Sequence, residues 1–384
     1  MPVPLSSITA GVIGTGFIGP VHIEALKRLG VNVAAVCGSN ESAVRVAERF
    51  GISRAIGGYD FETLIGAPDI DVVHVTSPNR QHYAQALAAL QAGKHCICEK
   101  PLAMNSRETA ALVKAAAKSG KVFAVNYNVR FYPAVLQMRA MVARGELGDI
   151  IHVQGSYLQD WLLKDTDYSW RLLPEEGGTL RAVADIGTHW LDTVSFILGS
   201  PIVRVLADLG TYHQQRKRPV GELKTFAKAS AKTKYETYDV KTEDFAYLLL
   251  GFANGARGGL AVSQVAAGRK NCIRIEIYGS KQSAWWSSED PDKLHLGRRD
   301  QANATAFRAC AEFGDAAGYT DYPGGHVEGF PDSFKMLFRS VYTDIAAGRP
   351  GSTPAYAVAA DGHEEMRLCE AIMKSHRSER WVKP

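Results

Sequence analysis

From Ala10 to about Asn126 the chain alternates short apolar runs with longer amphipathic ones. Ala10–Ile13, Val33–Val36, Val72–Thr76, His95–Cys98 and Val122–Val125 are almost continuously apolar. That is what a strand needs when helices cover both of its faces. Between these runs, Gly19–Leu29, Ser42–Phe50, His82–Ala92 and Ser106–Ser119 carry apolar residues at three- and four-residue spacing and stop at Gly30, Gly51, Gly93 and Gly120. The spacing predicts helices, and strand–helix alternation predicts a doubly wound parallel α/β sheet.

After Arg130 the pattern changes. A helix over Pro133–Arg144 leads into Ile150–Tyr157, Ile202–Leu209, Asp244–Phe252, Ala256–Val265 and Cys272–Tyr278, which are rich in β-branched and aromatic residues. Consecutive strands without intervening helices predict a large, mostly antiparallel sheet with one open face and helices on the other. Helical patterns return at Asp332–Ala347 and Tyr356–His376. The expected organisation is a dinucleotide-binding domain over 1–128 and a substrate-binding and oligomerisation domain over 129–384. The polar, lysine-rich stretch Tyr212–Thr242, with Arg216-Lys217-Arg218, reads as a solvated excursion; the sharper alternative is that its charges reach a neighbouring subunit or an acidic substrate.

The length of 384 residues exceeds the roughly 250–300 at which single cores stop growing, which agrees with two domains. A net charge of +4 is too mild for the concentrated positive field of a nucleic-acid binder. Met1–Thr9 does not form a signal peptide, and no apolar run approaches the ~20 residues that span a bilayer. The six cysteines Cys37, Cys96, Cys98, Cys272, Cys310 and Cys369 show no C-x-x-C spacing, so reduced thiols and a cytoplasmic location are expected. His22, His74, His95 and His152 fall inside predicted elements and read as structural, and no metal site is expected.

Gly14-Thr15-Gly16-Phe17-Ile18-Gly19 follows the first strand and opens the first helix. Gly14 permits the tight turn, Gly16 lets a pyrophosphate approach the backbone, and Gly19 lets helix and strand pack closely. The second strand runs into Cys37-Gly38-Ser39-Asn40, without the acid that usually holds the adenosine ribose. Gly38, Ser39 and Asn40 therefore form the expected ribose turn, and either NAD or NADP is admissible.

Thr76-Ser77-Pro78-Asn79, His82, Ala92-Gly93-Lys94 and Glu99-Lys100-Pro101 occur in an order that resembles the glucose-fructose oxidoreductase, inositol dehydrogenase and rhizopine catabolism (Gfo/Idh/MocA) family. The likeness continues through Asn128-Val129-Arg130-Phe131, Trp170-Arg171, Asp185-Ile186-Gly187-Thr188-His189, Glu243-Asp244 and Tyr278-Gly279. The resemblance implies a Rossmann domain, a second α/β domain, and oxidation or reduction of sugars and cyclitols with NAD or NADP. It places Ser77, Pro78, Asn79, His82, Glu99 and Lys100 along the cofactor, and maps the family's catalytic lysine, aspartate and histidine onto Lys100, Asp185 and His189. For Glu99 and Lys100 the plain alternative is a surface ion pair; for Asp185 it is a helix-start residue capping its own backbone.

Alcohol oxidation needs a base within hydrogen-bond reach of the hydroxyl, and an imidazole titrates in the right range. His189 is the expected base, Asp185 orients it or binds an adjacent hydroxyl, and Lys100 donates to the reacting oxygen. Trp161, Tyr168, Trp170 and Arg171 precede the Asp185/His189 pair and are substrate-contact candidates with Asn128 and Arg130. His326, in a late loop resembling one that some family members bring to the pocket, is another; core packing is the alternative for each aromatic. Two further readings stay open: an enzyme with a permanently bound cofactor, shuttling hydride between sugars or assisting glycoside cleavage, and a non-catalytic dinucleotide-bound regulator. The open sheet face suggests a homodimer or homotetramer.

Overall fold

The computed structural model describes residues 3–220, 234–308 and 311–384. Contacts divide the chain into one unit of Met1–Asn128 with Pro331–Met366 and another of Val129–Phe330 with Arg367–Pro384. Residues 331–366, assigned above to the second domain, thus cluster with the first. Cys310 lies outside the described residues; the other five cysteines are buried and form no disulfide among the described residues, and burial pushes the Cys37 thiol up to about 12.

The first unit contains β1 (Thr9–Ile13), β2 (Asn32–Cys37), β3 (Arg54–Ile56), β4 (Val72–Val75), β5 (His95–Cys98) and β6 (Phe123–Val125). They form a six-stranded parallel sheet in the order β3-β2-β1-β4-β5-β6. Helices α1 (Ile18–Arg28), α2 (Asn40–Phe50), α3 (Phe61–Gly66), α4 (Asn79–Gln91) and α5 (Ser106–Ser119) connect them. Val12, Val36, Val73, Val75, Ile97 and Val125 are buried because helices cover both faces. Strand order reverses direction at β1, whose neighbours are β2 and β4, and such a switch opens a crevice at the carboxyl ends of the strands.

The second unit begins with α6 (Pro133–Ala143), β7 (Ile150–Leu158), α7 (Pro174–Gly177), α8 (Thr188–Leu198) and β8 (Ile202–Gly210). It continues with β9 (Gln215–Pro219), β10 (Tyr235–Asp239), β11 (Phe245–Phe252), β12 (Arg257–Ser263), β13 (Cys272–Gly279), β14 (Ser283–Ser287), β15 (Lys293–Gly297) and β16 (Ala304–Phe307). Eight of these strands make a sheet in the order β16-β15-β14-β13-β7-β12-β11-β8, in which β12 and β7 run parallel and the other neighbours antiparallel. Period-two alternation buries Leu248, Leu250, Leu260, Val262, Ile275 and Ile277 on one face. Against that face lies α8, where Trp190 Nε1 donates to the Arg274 carbonyl at 2.8 Å. Gly155 makes this approach possible, since a Cβ there would sit 2.6 Å from the same indole nitrogen. The other face is open, with Tyr247 61% and Leu249 52% exposed.

The polar stretch after Tyr212 corrects the sequence reading. β9 and β10 pair as an antiparallel hairpin, and Arg216 is fully buried. Its guanidinium meets Asp244 at 2.7 Å and the carbonyls of Leu162 and Lys164, each at 2.9 Å. A buried charge survives only with such partners. The intervening residues 221–233 lie outside the described residues.

α9 (Phe330–Ala346) and α10 (Ala359–Ser378) close the chain. In the first unit α9 sets Phe334, Phe338 and Tyr342 against His22 and His74. In the second, Val382 forms a two-bond antiparallel bridge with Val205 of β8, both N–H···O distances being 2.9 Å.

Candidate active site

In a parallel sheet the residues following each strand emerge at one edge, so Gly14, Ser77 and Lys100, after β1, β4 and β5, share an edge. Gly14 has φ 114°, and a Cβ on it would lie 2.5 Å from Thr76 Oγ1. A Cβ on Gly19 would lie 2.0 Å from the Gly14 carbonyl oxygen, whereas one on Gly16 would meet nothing within 4 Å. The turn is thus tight at its ends and open in its middle, where the first N–H groups of α1 are available to an anion. Thr76 Oγ1 braces it by donating to the Ile13 carbonyl at 2.9 Å. Phe17 points outward, exposed, and Ile18 begins α1.

In the ribose turn, Ser39 Oγ accepts the Ser42 N–H at 3.2 Å and caps α2, while Gly38 packs under the Thr15 side chain. Asn40 starts the helix, and the first acid is Glu41. These residues fit a dinucleotide: the glycine pattern clears the backbone where a pyrophosphate would lie, and the hydroxyls of Thr15, Ser39 and Ser42 are linked at the turn after β2.

Around the end of β4, Ser77 Oγ donates to Gln85 Oε1 at 2.6 Å, Pro78 precedes α4, and Asn79 is buried in its first turn. His82 is buried with Nδ1 2.8 Å from the Pro101 carbonyl and Nε2 2.8 Å from the Ser77 carbonyl. It ties the loop after β4 to the segment carrying Lys100. Burial pulls its pKa down against the pull of those two carbonyls.

Glu99 is buried and so makes no surface pair. Its Oε1 faces His22 Nε2 at 3.0 Å and accepts from Asn126, and its Oε2 accepts the Lys100 N–H at 3.2 Å. The file extends inward, with His22 Nδ1 2.9 Å from His74 Nδ1 and His74 Nε2 2.9 Å from Tyr342 Oη. Only one proton can lie between the two facing Nδ1 atoms. Burial alone raises the Glu99 pKa, but hydrogen bonds and charge from His22, with Lys100 and Asn126, outweigh it and bring the carboxyl to about 2. His95 also serves the sheet, accepting the Val122 N–H at 3.0 Å; His152 stacks on Tyr278 in the second unit.

In the second unit Asp185 lies in a single π turn, Val183–Gly187, that runs directly into α8 and His189. Such turns recur at functional sites. Asp185 does not cap its own helix. Its Oδ1 accepts Arg171 Nε at 2.9 Å and its Oδ2 accepts Gln264 Nε2 at 2.8 Å. The Arg171 guanidinium in turn lies 4.4 Å from the Trp170 ring centre. His189 is buried, 6.2 Å from the Tyr157 ring centre to centre. Tyr157 Oη and Gln159 Nε2 both donate to Asn271 Oδ1, and Trp161 Nε1 donates to Gln159 Oε1 at 2.7 Å. Trp161, Trp170, Arg171, Asp185 and His189 thus fall within one polar and aromatic neighbourhood.

Three candidates are engaged elsewhere. Asn128 donates to Ser333 Oγ at 2.8 Å. Arg130 is buried and forks onto Asp192 at 2.8 Å through Nε, one turn past His189. His326 is exposed on its loop, with its carbonyl accepting from Arg308 at 2.5 Å. Tyr168 meets Tyr238 edge-on. Sequence reasoning did not single out Gln264, Tyr157 and Asn271; Gln264 stands one residue past β12, in a run that also holds Arg257 and Ser263, so nothing in the local pattern marks it. Among the described residues no group of three or more His, Cys, Asp or Glu could hold a metal ion, and no helix is long and apolar enough to cross a membrane.

A Rossmann cradle with a second, mixed-sheet domain carrying a histidine and an aspartate defines the class as a nicotinamide-dependent oxidoreductase. Residues 8–127 match the oxidoreductase family with an NAD-binding Rossmann fold, and residues 135–285 match the GFO/IDH/MocA C-terminal domain. The chain is 30% identical over 394 aligned positions, 98% of both chains, to levoglucosan dehydrogenase of Pseudarthrobacter phenanthrenivorans. It belongs to the Gfo/Idh/MocA oxidoreductase family. A levoglucosan dehydrogenase in complex with NADH and L-sorbose superposes with TM-score 0.86 at 29% identity, covering 98% of each chain. An inositol dehydrogenase homologue complexed with NAD+ from Azotobacter vinelandii superposes with TM-score 0.83 at 25% identity, covering 98% of this chain and 97% of that one.

Proposed function

We propose that this oxidoreductase is a dehydrogenase that oxidises a secondary hydroxyl of a sugar, an anhydrosugar or other sugar derivative, or a cyclitol, the hydride leaving the carbon and the proton the oxygen. The observation that carries the reading is the Asp185 turn: a carboxylate held at both oxygens by Arg171 and Gln264, leading into the helix that bears His189. Relatives named for levoglucosan and inositol support the substrate class.

A nicotinamide held by the glycine turn would supply the hydride acceptor. His189 takes the hydroxyl proton, Lys100 donates to the reacting oxygen, and Asp185 binds the neighbouring hydroxyl or orients the imidazole. Gly14, Gly16 and Gly19 hold the pyrophosphate, with Ser77, Pro78 and Asn79 further along the dinucleotide. Gly38, Ser39 and Asn40 take the ribose, where the missing carboxylate leaves NADP admissible beside the NAD bound by relatives. Trp161, Trp170 and Arg171 serve the sugar. A second copy of the chain covers the open sheet face, giving a homodimer or homotetramer.

The test is a panel of anhydrosugars, glycosides, aldoses and inositols with NAD and with NADP, followed by nicotinamide absorbance. Stoichiometric reduced cofactor with at least one polyol is expected. Nucleotide binding without reduction across the panel overturns the reading in favour of a regulator, and turnover without released NADH points to a permanently bound cofactor.

A further inference from the structure

Glu243 and Asp244, at the entry to β11, have no part in the chemistry above, yet both are buried acids. The Glu243 carboxylate accepts main-chain donors: the Arg181 N–H at 2.9 and 3.0 Å and the Val183 N–H at 2.9 Å. Those are the main-chain donors at the start of the π turn, Val183 being its first residue. The clamp is therefore a helix start capped by a carboxylate 60 residues away in sequence, two positions before β11. Burial pushes the Glu243 carboxyl up, and these N–H groups oppose it.

Asp244 holds the same segment by its side chain. It pairs with Arg181 and Arg216 and accepts the Tyr212 and His213 N–H groups at 2.8 and 3.0 Å. Its carbonyl accepts the Gln264 N–H at 3.0 Å, and Gln264 Nε2 reaches Asp185 Oδ2 at 2.8 Å. Gln264 is fully buried. An ionised carboxylate can only accept, so the amide must turn its Nε2 toward Asp185. That choice leaves Oε1 with no donor among the described residues. A buried carbonyl without a donor costs stability, and the hold on Asp185 is what the amide's orientation provides in return.

We propose that Gln264 and Glu243 are positioning residues for Asp185, Gln264 by holding one carboxylate oxygen and Glu243 by fixing the main chain of the turn that carries it. The inference rests on the reading of Asp185 as a group at the reacting hydroxyl.

The experiment compares wild type with Gln264→Leu, Gln264→Glu and Glu243→Gln, in full-length protein. Gln264→Leu keeps the volume without the donor, and Gln264→Glu keeps the shape while replacing the donor by an acceptor. Each is expected to lower kcat for the sugar about 10- to 100-fold, the scale on which small misplacements act. NADH affinity, read by nucleotide fluorescence, and the thermal unfolding midpoint of at least one Gln264 variant stay at wild-type values. Crystal structures of the variants are expected to show the Asp185 carboxylate displaced from its Arg171-paired position. Wild-type turnover in both Gln264 variants, or an unmoved Asp185 carboxylate, overturns the inference. Absence of turnover by the wild type itself sinks the dehydrogenase reading instead, and the crystal comparison still decides the positioning role.

Discussion

Glu99 carries a negative charge where burial alone would remove it, because His22 and Asn126 share one oxygen and the Lys100 N–H takes the other. Its pKa falls from 4.5 to about 2. An acid whose folded pKa lies below its unfolded one adds stability above the unfolded value and loses it as pH falls through the folded one. Glu99→Gln is therefore expected to cost about 1–3 kcal/mol at neutral pH, with the gap to wild type closing between pH 4.5 and about 2. Urea midpoints across that range check it; a constant gap would assign the loss to packing. For the proton-handling groups, Lys100→Met and His189→Ala should each lower turnover by about 10² to 10⁴ while NADH binding persists, as stopped-flow and fluorescence titration would show. At this scale the sequence supplied residue types and spacing, and the family resemblance singled out Lys100, Asp185 and His189 as candidates. It could not supply partners. Arg130 was read as a sugar contact because its match, Asp192, lies 62 positions away, and Asn128 meets Ser333 across 205.

At the scale of elements, β1, the glycine turn and α1 act as one device whose tightest point is Gly19. A methyl there would meet the Gly14 carbonyl oxygen at 2.0 Å, so α1 would have to lift off the strand. Gly19→Ala is expected to weaken NADH binding at least tenfold, roughly 1.4 kcal/mol or more, and to lower the thermal midpoint; calorimetric titration measures the first, and unaltered affinity would show that the approach can relax. Five strands of the first unit were legible because burial on both faces makes them continuously apolar; β3 was not, since Arg54–Ile56 is a three-residue edge strand with no fully buried residue. β14, β15 and β16 were not, since Ser283–Ser287, Lys293–Gly297 and Ala304–Phe307 are short and bury only every second residue. What defines them is cross-strand contact, as where Trp285 stacks on its partner His295 with ring centres 3.6 Å apart. The β9–β10 hairpin escaped notice for a related reason: Arg216 reads as a solvated charge until Asp244 is brought to it by the sheet.

For the whole molecule the unpartnered face of the eight-stranded sheet is the feature that asks for company. Tyr247 and Leu249 stand exposed on β11, beside a trough of about 940 Å³ floored by Gly259 and Ala261. If a second copy fills it, Tyr247→Asp with Leu249→Asp should shift the light-scattering mass to that of a monomer, since opposing two such faces would bury like, unpaired charges; an unchanged mass places the contact elsewhere. The same sheet ends at β8 on one side, and there the chain's last residues matter. Val382 occupies both the N–H and the carbonyl of Val205, and Arg367 fastens the Pro384 carbonyl at 2.7 Å. A handful of terminal residues thus plugs the flank of β8 against strand addition by stray chains. Ser375 and His376 of α10 accept the Ala207 and Leu209 N–H groups at 3.1 and 3.2 Å, so the rim is filled from two sources, and loss of Val382 alone would bare only the Val205 position to an intruding strand.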